Sequence, residues 1–316
     1  MKTHHHQTHS CRGPLVGLVL FLALSIFAAD LAQSAEGRRR RADSPNVNVV
    51  RDLVYEQVGG RSLRLDIYSP KTITGPLPVV LWIHGGHWGR GTKEQRQPFD
   101  LTAHGYAVVS IEYRLAGEAP FPAQIEDCKA AVRWLRANAA TYHLDPDHIG
   151  AWGHSAGGHL AALLGTSGGV AALEGNSGNL NYSSRIQAVC AMSSPFDLVS
   201  LYEEVSKPES GPGRRAKTFI EEFLGGSADQ RMALAKAASP TTYISKDDAA
   251  FLVIHGENDM SIPVSQSEEF VGKLKAAGVD ATLEIAEGRG HGVGAPQYAA
   301  EITSFFDKYL KNNPPK

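Results

Sequence analysis

From about residue 48 onward, short β-rich apolar runs alternate with runs whose apolar residues recur at a helical period. Such alternation is typical of βαβ units, which build a mainly parallel sheet with helices on both of its faces. The predicted strands are eight short runs, at residues 49–55, 63–68, 79–84, 107–113, 149–153, 186–193, 251–256 and 281–285. The later runs are continuously apolar, as strands buried on both faces are. The pattern therefore predicts an α/β fold with an eight-stranded sheet.

Helical periodicity between these runs predicts helices at residues 94–104, 122–142, 156–164, 264–277 and 296–310. In the second helix, apolar residues at spacings of three and four form one face, which includes Cys128. Cys190 lies inside a predicted strand, so both cysteines are interpreted as buried free thiols, with a disulfide or a catalytic role as the alternatives. Residues 195–242 lack strand signals and are interpreted as a small helical cap inserted into one domain.

The amino-terminal segment predicts export. Lys2 and Arg12 precede an unbroken low-polarity run of 15 residues, 15–29, with no acidic residue before it. A basic start and a short apolar core are typical of a signal peptide, and the run is shorter than the about 20 residues of a spanning helix. We expect a signal peptide at 1–34, a flexible mature start at 35–47 and the folded domain at 48–312. The protein is then secreted or periplasmic and has no stable membrane span.

The charge balance argues against a nucleic-acid partner. The chain has 31 Lys and Arg against 33 Asp and Glu, a formal net charge of −2. Binding to a phosphate backbone needs a basic stripe, whereas the basic residues here are mostly scattered along the chain. The sequence therefore predicts no nucleic-acid partner, and it leaves the oligomeric state open.

A Gly-x-Ser-x-Gly motif stands directly between a predicted strand and a predicted helix, with Ser155 flanked by Gly153 and Gly157. A serine on such a tight turn takes a strained backbone conformation, and the glycines allow neighbouring backbone to approach closely. The start of the following helix favours negative charge on a developing oxyanion. Ser155 is therefore the candidate nucleophile, and the flanking strand and helix disfavour the alternative of an ordinary turn.

A serine nucleophile needs a base, and the base needs an acid that orients it. Asp259 and His291 each follow a predicted strand, in the chain order Ser, Asp, His that is expected of an α/β-hydrolase sheet. His291 is therefore the candidate base and Asp259 the candidate acid. Glu257, two residues earlier on the same loop, is the alternative acid. His154 adjoins Ser155 and is expected to pack nearby without acting as the base.

The glycine-rich segment after the third predicted strand is a candidate oxyanion loop. The backbone N–H groups of Gly85, Gly86 and His87 are expected to converge with that of Ala156, although the sequence does not decide which pair donates. A simple turn is the alternative. His84 is expected to brace the loop by hydrogen bonding, and a zinc site formed by His84 with His87 is disfavoured because no further ligands complete it. The segment also lacks the Lys-Ser/Thr ending of a phosphate loop, so no metal or organic cofactor is implied.

With these residues in place, the chain resembles the α/β-hydrolase superfamily, in the esterase/lipase branch related to hormone-sensitive lipase, over about residues 50–312. The resemblance rests on Asp259, His291 and the stretches 84–88, 112–115, 120–123 and 153–158. The stretches most similar to secreted BD-FAE-like esterases are 127–135, 153–161 and 262–268. That group is associated with the removal of acetyl and feruloyl groups from plant polysaccharide.

The resemblance implies a secreted serine carboxylesterase whose substrate is a small ester or an acylated carbohydrate with acetyl, other short acyl or feruloyl groups. Two positions depart from the pattern of the relatives: His87 replaces a usual third glycine, and Gly117 stands where many have proline. The first departure matches the His-Gly-Gly-x-Trp pattern of kynurenine formamidases, so amide cleavage is an alternative. A general carboxylesterase or lipase and a non-catalytic binding module on the same fold are the others.

Overall fold

The computed structural model describes Met1 and residues 46–95, 100–207, 213–293 and 295–311. In this part of the chain eight strands form one sheet, in the spatial order β1-β2-β4-β3-β5-β6-β7-β8. The strands are β1 (Val47–Val58), β2 (Arg61–Pro70), β3 (Leu77–Ile83), β4 (Ala107–Ile111), β5 (Leu144–His154), β6 (Ala188–Met192), β7 (Ala250–Gly256) and β8 (Ala281–Ala286). β2 pairs antiparallel with β1 and β4, and every other pair is parallel. The predicted mainly parallel sheet is therefore confirmed.

The α-helices of the described residues are α1 (Asp100–Ala103), α2 (Ala123–Ala137), α3 (Ala139–Tyr142), α4 (Ala156–Thr166), α5 (Leu198–Val205), α6 (Gly213–Leu224), α7 (Arg231–Ala238), α8 (Ser265–Ala276) and α9 (Ala299–Leu310). Short 3₁₀ turns lie at Ala171–Leu173, Pro240–Thr242 and Ala295–Tyr298. Three helices, α5 to α7, lie between β6 and β7, in the segment interpreted from the sequence as the cap. We call α5 to α7 the cap helices.

Helices cover both faces of the sheet. Successive side chains of a strand point to opposite faces, so the strands can contact helices on both sides. On one face, Trp82 and Trp152 lie edge to face at 5.7 Å between ring centroids, and Trp152 lies 6.4 Å from Phe306 of α9. On the other face, Phe251 of β7 packs at 5.3 Å against Phe270 of α8. The parallel strands therefore carry apolar side chains on both sides, and their carboxyl ends meet at one edge of the sheet.

The predicted helix at 94–104 is wrong over its first part. Residues 93–95 form a turn, and the described helix is only α1. The reason is a long-range interaction, because the ammonium of Lys93 is buried 3.0 Å from the fully buried carboxylate of Asp66 on β2. Trp82 also donates its indole N–H to the carbonyl of Gln95 at 2.7 Å. These contacts hold residues 93–95 against the sheet, and the indole N–H of Trp82 occupies the Gln95 carbonyl that a helix would use.

The predicted helix at 122–142 is divided into α2 and α3 at Asn138. The side-chain amide of Asn138 donates to the carbonyl of Trp134 at 2.9 Å, and the backbone there has φ −110° and ψ 12°. A short polar side chain that bonds the backbone competes with the helical ladder. The break therefore has a local cause that the apolar periodicity did not reveal.

The two cysteines lie in the core. Cys128 and Cys190 are both free and fully buried, as predicted, and burial raises the pKa of each thiol well above its ordinary value. Such thiols stay protonated and act as small apolar side chains.

Residues 2–45, which include the predicted signal peptide and most of the predicted flexible start, lie outside the described residues. β1 begins at Val47, one residue before the predicted start of the folded domain. Among the helices that the structure describes, none has the length and apolar character needed to cross a membrane.

Candidate active site

Ser155 lies on the tight turn between β5 and α4, with φ 57° and ψ −125°. This backbone conformation is uncommon for a residue other than glycine. The flanking glycines are required by close packing: a Cβ on Gly153 would lie 2.3 Å from the carbonyl carbon of Gly157, and a Cβ on Gly157 would lie 2.1 Å from the carbonyl oxygen of Ile83. The two glycines therefore allow β3, β5 and the start of α4 to pack closely, and Ser155 lies at the edge of the sheet.

The structure brings the three predicted side chains of the candidate triad into one hydrogen-bonded chain. Ser155 Oγ lies 3.0 Å from His291 Nε2, and His291 Nδ1 lies 2.8 Å from Asp259 Oδ2. Asp259 follows β7 and His291 follows β8, so both reach the serine from the carboxyl ends of neighbouring strands. In this arrangement Nδ1–H donates to the carboxylate and Nε2 accepts from the serine hydroxyl, which is the tautomer that a general base needs.

Asp259 is held as a carboxylate. Its Oδ1 accepts backbone N–H bonds from Ser261 at 2.8 Å and Ile262 at 3.0 Å. Burial acts to raise the pKa of Asp259, but hydrogen bonds from His255 and His291 outweigh burial and hold that pKa well below its usual range. The negative charge that would stabilise a protonated His291 is therefore present across the ordinary pH range.

His255 is a site residue that the sequence did not reveal. Its Nε2–H lies 3.0 Å from the carbonyl of Ile262 and 3.3 Å from Asp259 Oδ2, while its Nδ1 accepts from Ser267 Oγ at 2.6 Å. His255 is fully buried within the apolar strand β7. The one available signal was a polar residue inside that strand, four positions before Asp259.

The alternative acid, Glu257, is exposed, and its carboxylate accepts the backbone N–H of Gly288 at 2.9 Å. Glu257 therefore braces the loop after β8, and the geometry favours Asp259 as the partner of His291. His154 donates from Nε2 to the backbone carbonyl of His291 at 2.7 Å. His154 thus packs beside the candidate base, as predicted, and anchors the backbone of the loop that carries His291.

The candidate oxyanion loop, residues 84–91, lies directly against the serine. A Cβ on Gly85 would lie 2.6 Å from the carbonyl oxygen of His154 and 3.5 Å from the Cβ of Ser155. Within the described part of the chain, no group accepts a hydrogen bond from the backbone N–H of Gly86, His87 or Ala156. Donors without a partner beside a nucleophile are what a tetrahedral oxyanion requires.

His84 braces this loop. Its ring stacks on Tyr113 with centroids 4.3 Å apart, its Nδ1 donates to the carbonyl of Gly85 at 3.0 Å, and Tyr113 donates its hydroxyl to the carbonyl of His84 at 2.9 Å. Burial lowers the pKa of His84 to about 4, so the ring is neutral at pH 7. The described residues hold no group of three His, Cys, Asp or Glu side chains arranged to bind a metal ion.

His159, which the sequence did not single out, joins the loop to the cap helices. Trp88 donates its indole N–H to His159 Nδ1 at 3.0 Å, and His159 Nε2 donates to the carbonyl of Ala238 at the end of α7 at 2.8 Å. Both ring nitrogens are used, and burial lowers the pKa of His159 to about 4. The side chain therefore acts as a neutral bridge.

Acidification from pH 6.5 to 4 is expected to destabilise the protein. An unfolded histidine binds a proton near pH 6.5, whereas burial keeps His84 and His159 neutral down to about pH 4. The unfolded chain therefore takes up more protons in this interval, and each histidine removes about 1.4 kcal/mol of stability per pH unit. Urea unfolding at several pH values checks this. His159→Gln keeps an acceptor and a donor but does not titrate, so it should reduce the slope of the unfolding free energy against pH by about one proton. An unchanged slope would contradict the interpretation of His159 as a neutral bridge.

Comparisons with known proteins find a family, curated relatives and solved structures that are similar to this chain. A family model described as BD-FAE matches residues 65–274, more than half of the chain. The chain is 35% identical over 237 residues to Esterase LipQ of Mycobacterium tuberculosis (strain ATCC 25618 / H37Rv), a match that covers 72% of this chain and 53% of LipQ. The chain spans about half the length of the curated relatives it matches.

Two solved structures show the same fold. A truncated form of a carbohydrate esterase from gut microbiota has a TM-score of 0.72 and 30% identity, over 83% of this chain and 95% of that one. An acetyl ester-xyloside bifunctional hydrolase from Caldicellulosiruptor lactoaceticus has a TM-score of 0.63 and 25% identity, over 78% and 86% of the two chains. The predicted α/β-hydrolase fold is therefore confirmed. By its family match, its fold and its relatives, this chain belongs to the BD-FAE family, in the esterase/lipase branch of the α/β-hydrolases.

Proposed function

We propose that the protein is a serine carboxylesterase that removes acetyl, other short acyl or feruloyl groups from an acylated carbohydrate. The observation that carries this proposal is the chain from Ser155 Oγ through His291 to Asp259, with distances of 3.0 and 2.8 Å, beside backbone N–H groups that have no described partner. Carbohydrate substrates are favoured because one structural neighbour is described as a carbohydrate esterase and another as an acetyl ester-xyloside hydrolase.

The geometry supports a two-step acyl transfer. Ser155 Oγ attacks the ester carbonyl carbon while His291 Nε2 takes the hydroxyl proton, and Asp259 stabilises the resulting imidazolium. The tetrahedral oxyanion is held by the backbone N–H of Ala156 and by those of loop 85–87. His291 then returns the proton to the leaving alcohol, and an acyl-enzyme remains. Water attacks the acyl-enzyme with His291 again as the base, which releases the acid and restores the serine.

Cleavage of a formamide is the second candidate, because His87 and Trp88 match the kynurenine-formamidase pattern. The same three side chains could cleave an amide, so the two activities would differ in how the substrate binds and not in the catalytic groups. In the structure, Trp88 bonds to His159 and lies buried, so its role in the loop needs no particular substrate. We therefore favour ester hydrolysis, and we include a formamide among the substrates tested.

Acyl-group specificity is tested with three substrates at equal enzyme concentration: acetylated xylan, methyl ferulate and N-formylkynurenine. We expect release of acetate or ferulate to exceed cleavage of the formamide, and the acetate-to-ferulate ratio separates the two acyl classes. Each rate is corrected with the Ser155→Ala protein, which removes contributions from contaminating hydrolases. Dominant formamide cleavage would replace the esterase assignment, and three inert substrates together with several inert activated esters would favour a non-catalytic binding module.

Export is a further part of the proposal. The basic start and the apolar run 15–29 support a signal peptide, with cleavage expected after Ser34. Expression of the full chain should yield a protein outside the cytoplasm whose intact mass lacks residues 1–34. A cytoplasmic product that retains its leader would contradict export without affecting the esterase assignment.

A further inference from the structure

The cap helix α6 places two aromatic rings on the candidate oxyanion loop. Phe219 and Phe223 are four residues apart and therefore lie on the same side of the helix. The ring of Phe219 stacks on His87 with centroids 4.4 Å apart and an interplanar angle of 29°. The ring of Phe223 stacks on Trp88 at 4.4 Å and 17°. Two successive turns of the helix thus cover two successive residues of the loop.

Those two loop residues have an unusual backbone. His87 has φ 55° and Trp88 has φ 56°, and neither is a glycine. Two consecutive residues in the left-handed region persist only where their surroundings hold them there. The backbone N–H of His87 is one of the described donors without an acceptor, so the conformation of this segment decides where an oxyanion donor points.

Apart from the two stacked rings, Trp88 has more stabilising contacts than His87. Trp88 is buried, bonds to His159, and accepts the backbone N–H of Ala116 at 2.9 Å. His87 is half-buried, and among the described residues its ring also lies near the exposed Arg90, whose guanidinium is 3.3 Å from Nδ1, and feels the charge of His291. Of these described neighbours of the His87 ring, the Phe219 ring is the apolar one.

We propose that α6 is a positioning element for catalysis: Phe219, stacked on His87 beside the Phe223–Trp88 stack, holds the oxyanion loop in the geometry that stabilises the tetrahedral intermediate. This inference rests on the proposed esterase function. It assigns to the cap helices a part in the chemical step, in addition to covering the site. Phe219 and Phe223 act through the loop and touch no reacting atom in this account.

Phe219 is the better position for the test, because Phe223 is fully buried and also contacts Phe121 through its ring and its carbonyl. Phe219→Ala is expected to lower kcat for p-nitrophenyl acetate by about 10- to 100-fold, since misplaced oxyanion donors are costly, with KM changed less than about 2-fold. Phe219→Tyr, which restores the stacked ring, should recover most of the loss.

The matched control is Phe305→Ala on α9. Phe305 is also half-buried and contacts Phe306 and Tyr309 at 5.3 and 5.1 Å, on the side of the sheet away from the cap helices. Its removal takes away a comparable ring without touching the loop, so kcat should stay within about 2-fold of the parent. A similar loss of kcat in the control would show a general packing effect and overturn the positioning role.

Hydrogen exchange separates this inference from the proposed function. In Phe219→Ala, peptides covering 84–91 should exchange faster, while peptides covering 153–158 keep their protection. Unchanged kcat together with unchanged exchange would overturn the inference and leave the esterase assignment intact. A raised KM with unchanged kcat would make Phe219 a substrate contact and also overturn it. If the parent protein shows no Ser155-dependent ester hydrolysis, the proposed function fails, and exchange at 84–91 still decides whether α6 holds the loop.

Discussion

Replacing Ser155 with alanine is expected to lower kcat for ester hydrolysis by about a million-fold, the loss seen when a triad serine is removed from another serine hydrolase. The substitution deletes the one oxygen that lies 3.0 Å from His291 Nε2, so no acyl-enzyme forms. Activity on p-nitrophenyl acetate provides the measurement, and circular dichroism checks the fold. Alanine removes a hydroxyl with little exposure, and we expect no loss of folded protein.

Ser194→Ala is the matched control for this prediction. Ser194 lies next to the elbow and donates its hydroxyl to the carbonyl of Met192 at 2.8 Å, but it is not hydrogen-bonded to His291. Activity of this variant should remain within about 10-fold of the parent, as expected for a substitution outside the reacting groups. Parent-like turnover in Ser155→Ala would remove Ser155 from the mechanism.

Replacing Asp259 with asparagine is expected to lower kcat by about 10,000-fold, because the amide favours the wrong tautomer of the base. In the parent protein, the carboxylate accepts Nδ1–H of His291 at 2.8 Å and its pKa lies well below the usual range. An asparagine N–H in that place would donate to Nδ1 and move the proton to Nε2, which must stay free to accept from Ser155. Steady-state rates at pH 7 to 8 provide the measurement.

Glu257→Gln is the matched control, since it makes the same carboxylate-to-amide change two residues away. Its carboxylate bonds to the backbone of Gly288, so a few-fold change at most is expected. A larger loss in Glu257→Gln than in Asp259→Asn would assign the orienting acid to Glu257.

The parts of the site that were predictable from the sequence depend on local backbone geometry. Gly153 and Gly157 are required by backbone contacts within the elbow and with β3, so the motif together with its flanking strand and helix indicated Ser155. Parallel strands bring their carboxyl ends to one edge, so Asp259 and His291 could be placed after β7 and β8. Their convergence with Ser155 was predicted from the chain order Ser, Asp, His, with Asp259 and His291 each placed just after a predicted strand.

The parts that were not predictable depend on contacts between distant segments. The start of the helix expected at 94–104 is missing because Lys93, just before it, is paired with Asp66 on another strand, and an apolar period carries no sign of such a pair. His255 and His159 look like single polar residues in a buried strand and helix until Asp259 and Trp88 are placed beside them. Phe219 is one aromatic residue in a segment without strand signals, and only the cap packing places it on the oxyanion loop.

The most direct test of the central claim is covalent labelling with a fluorophosphonate followed by peptide mass mapping. A phosphonyl group is transferred to an activated serine and mimics the tetrahedral intermediate. We predict one adduct per chain, on Ser155, with loss of ester hydrolysis in proportion to labelling and with much slower labelling in His291→Ala. Label on a different residue, or full ester hydrolysis in protein labelled at Ser155, would contradict the assignment of Ser155 as the nucleophile.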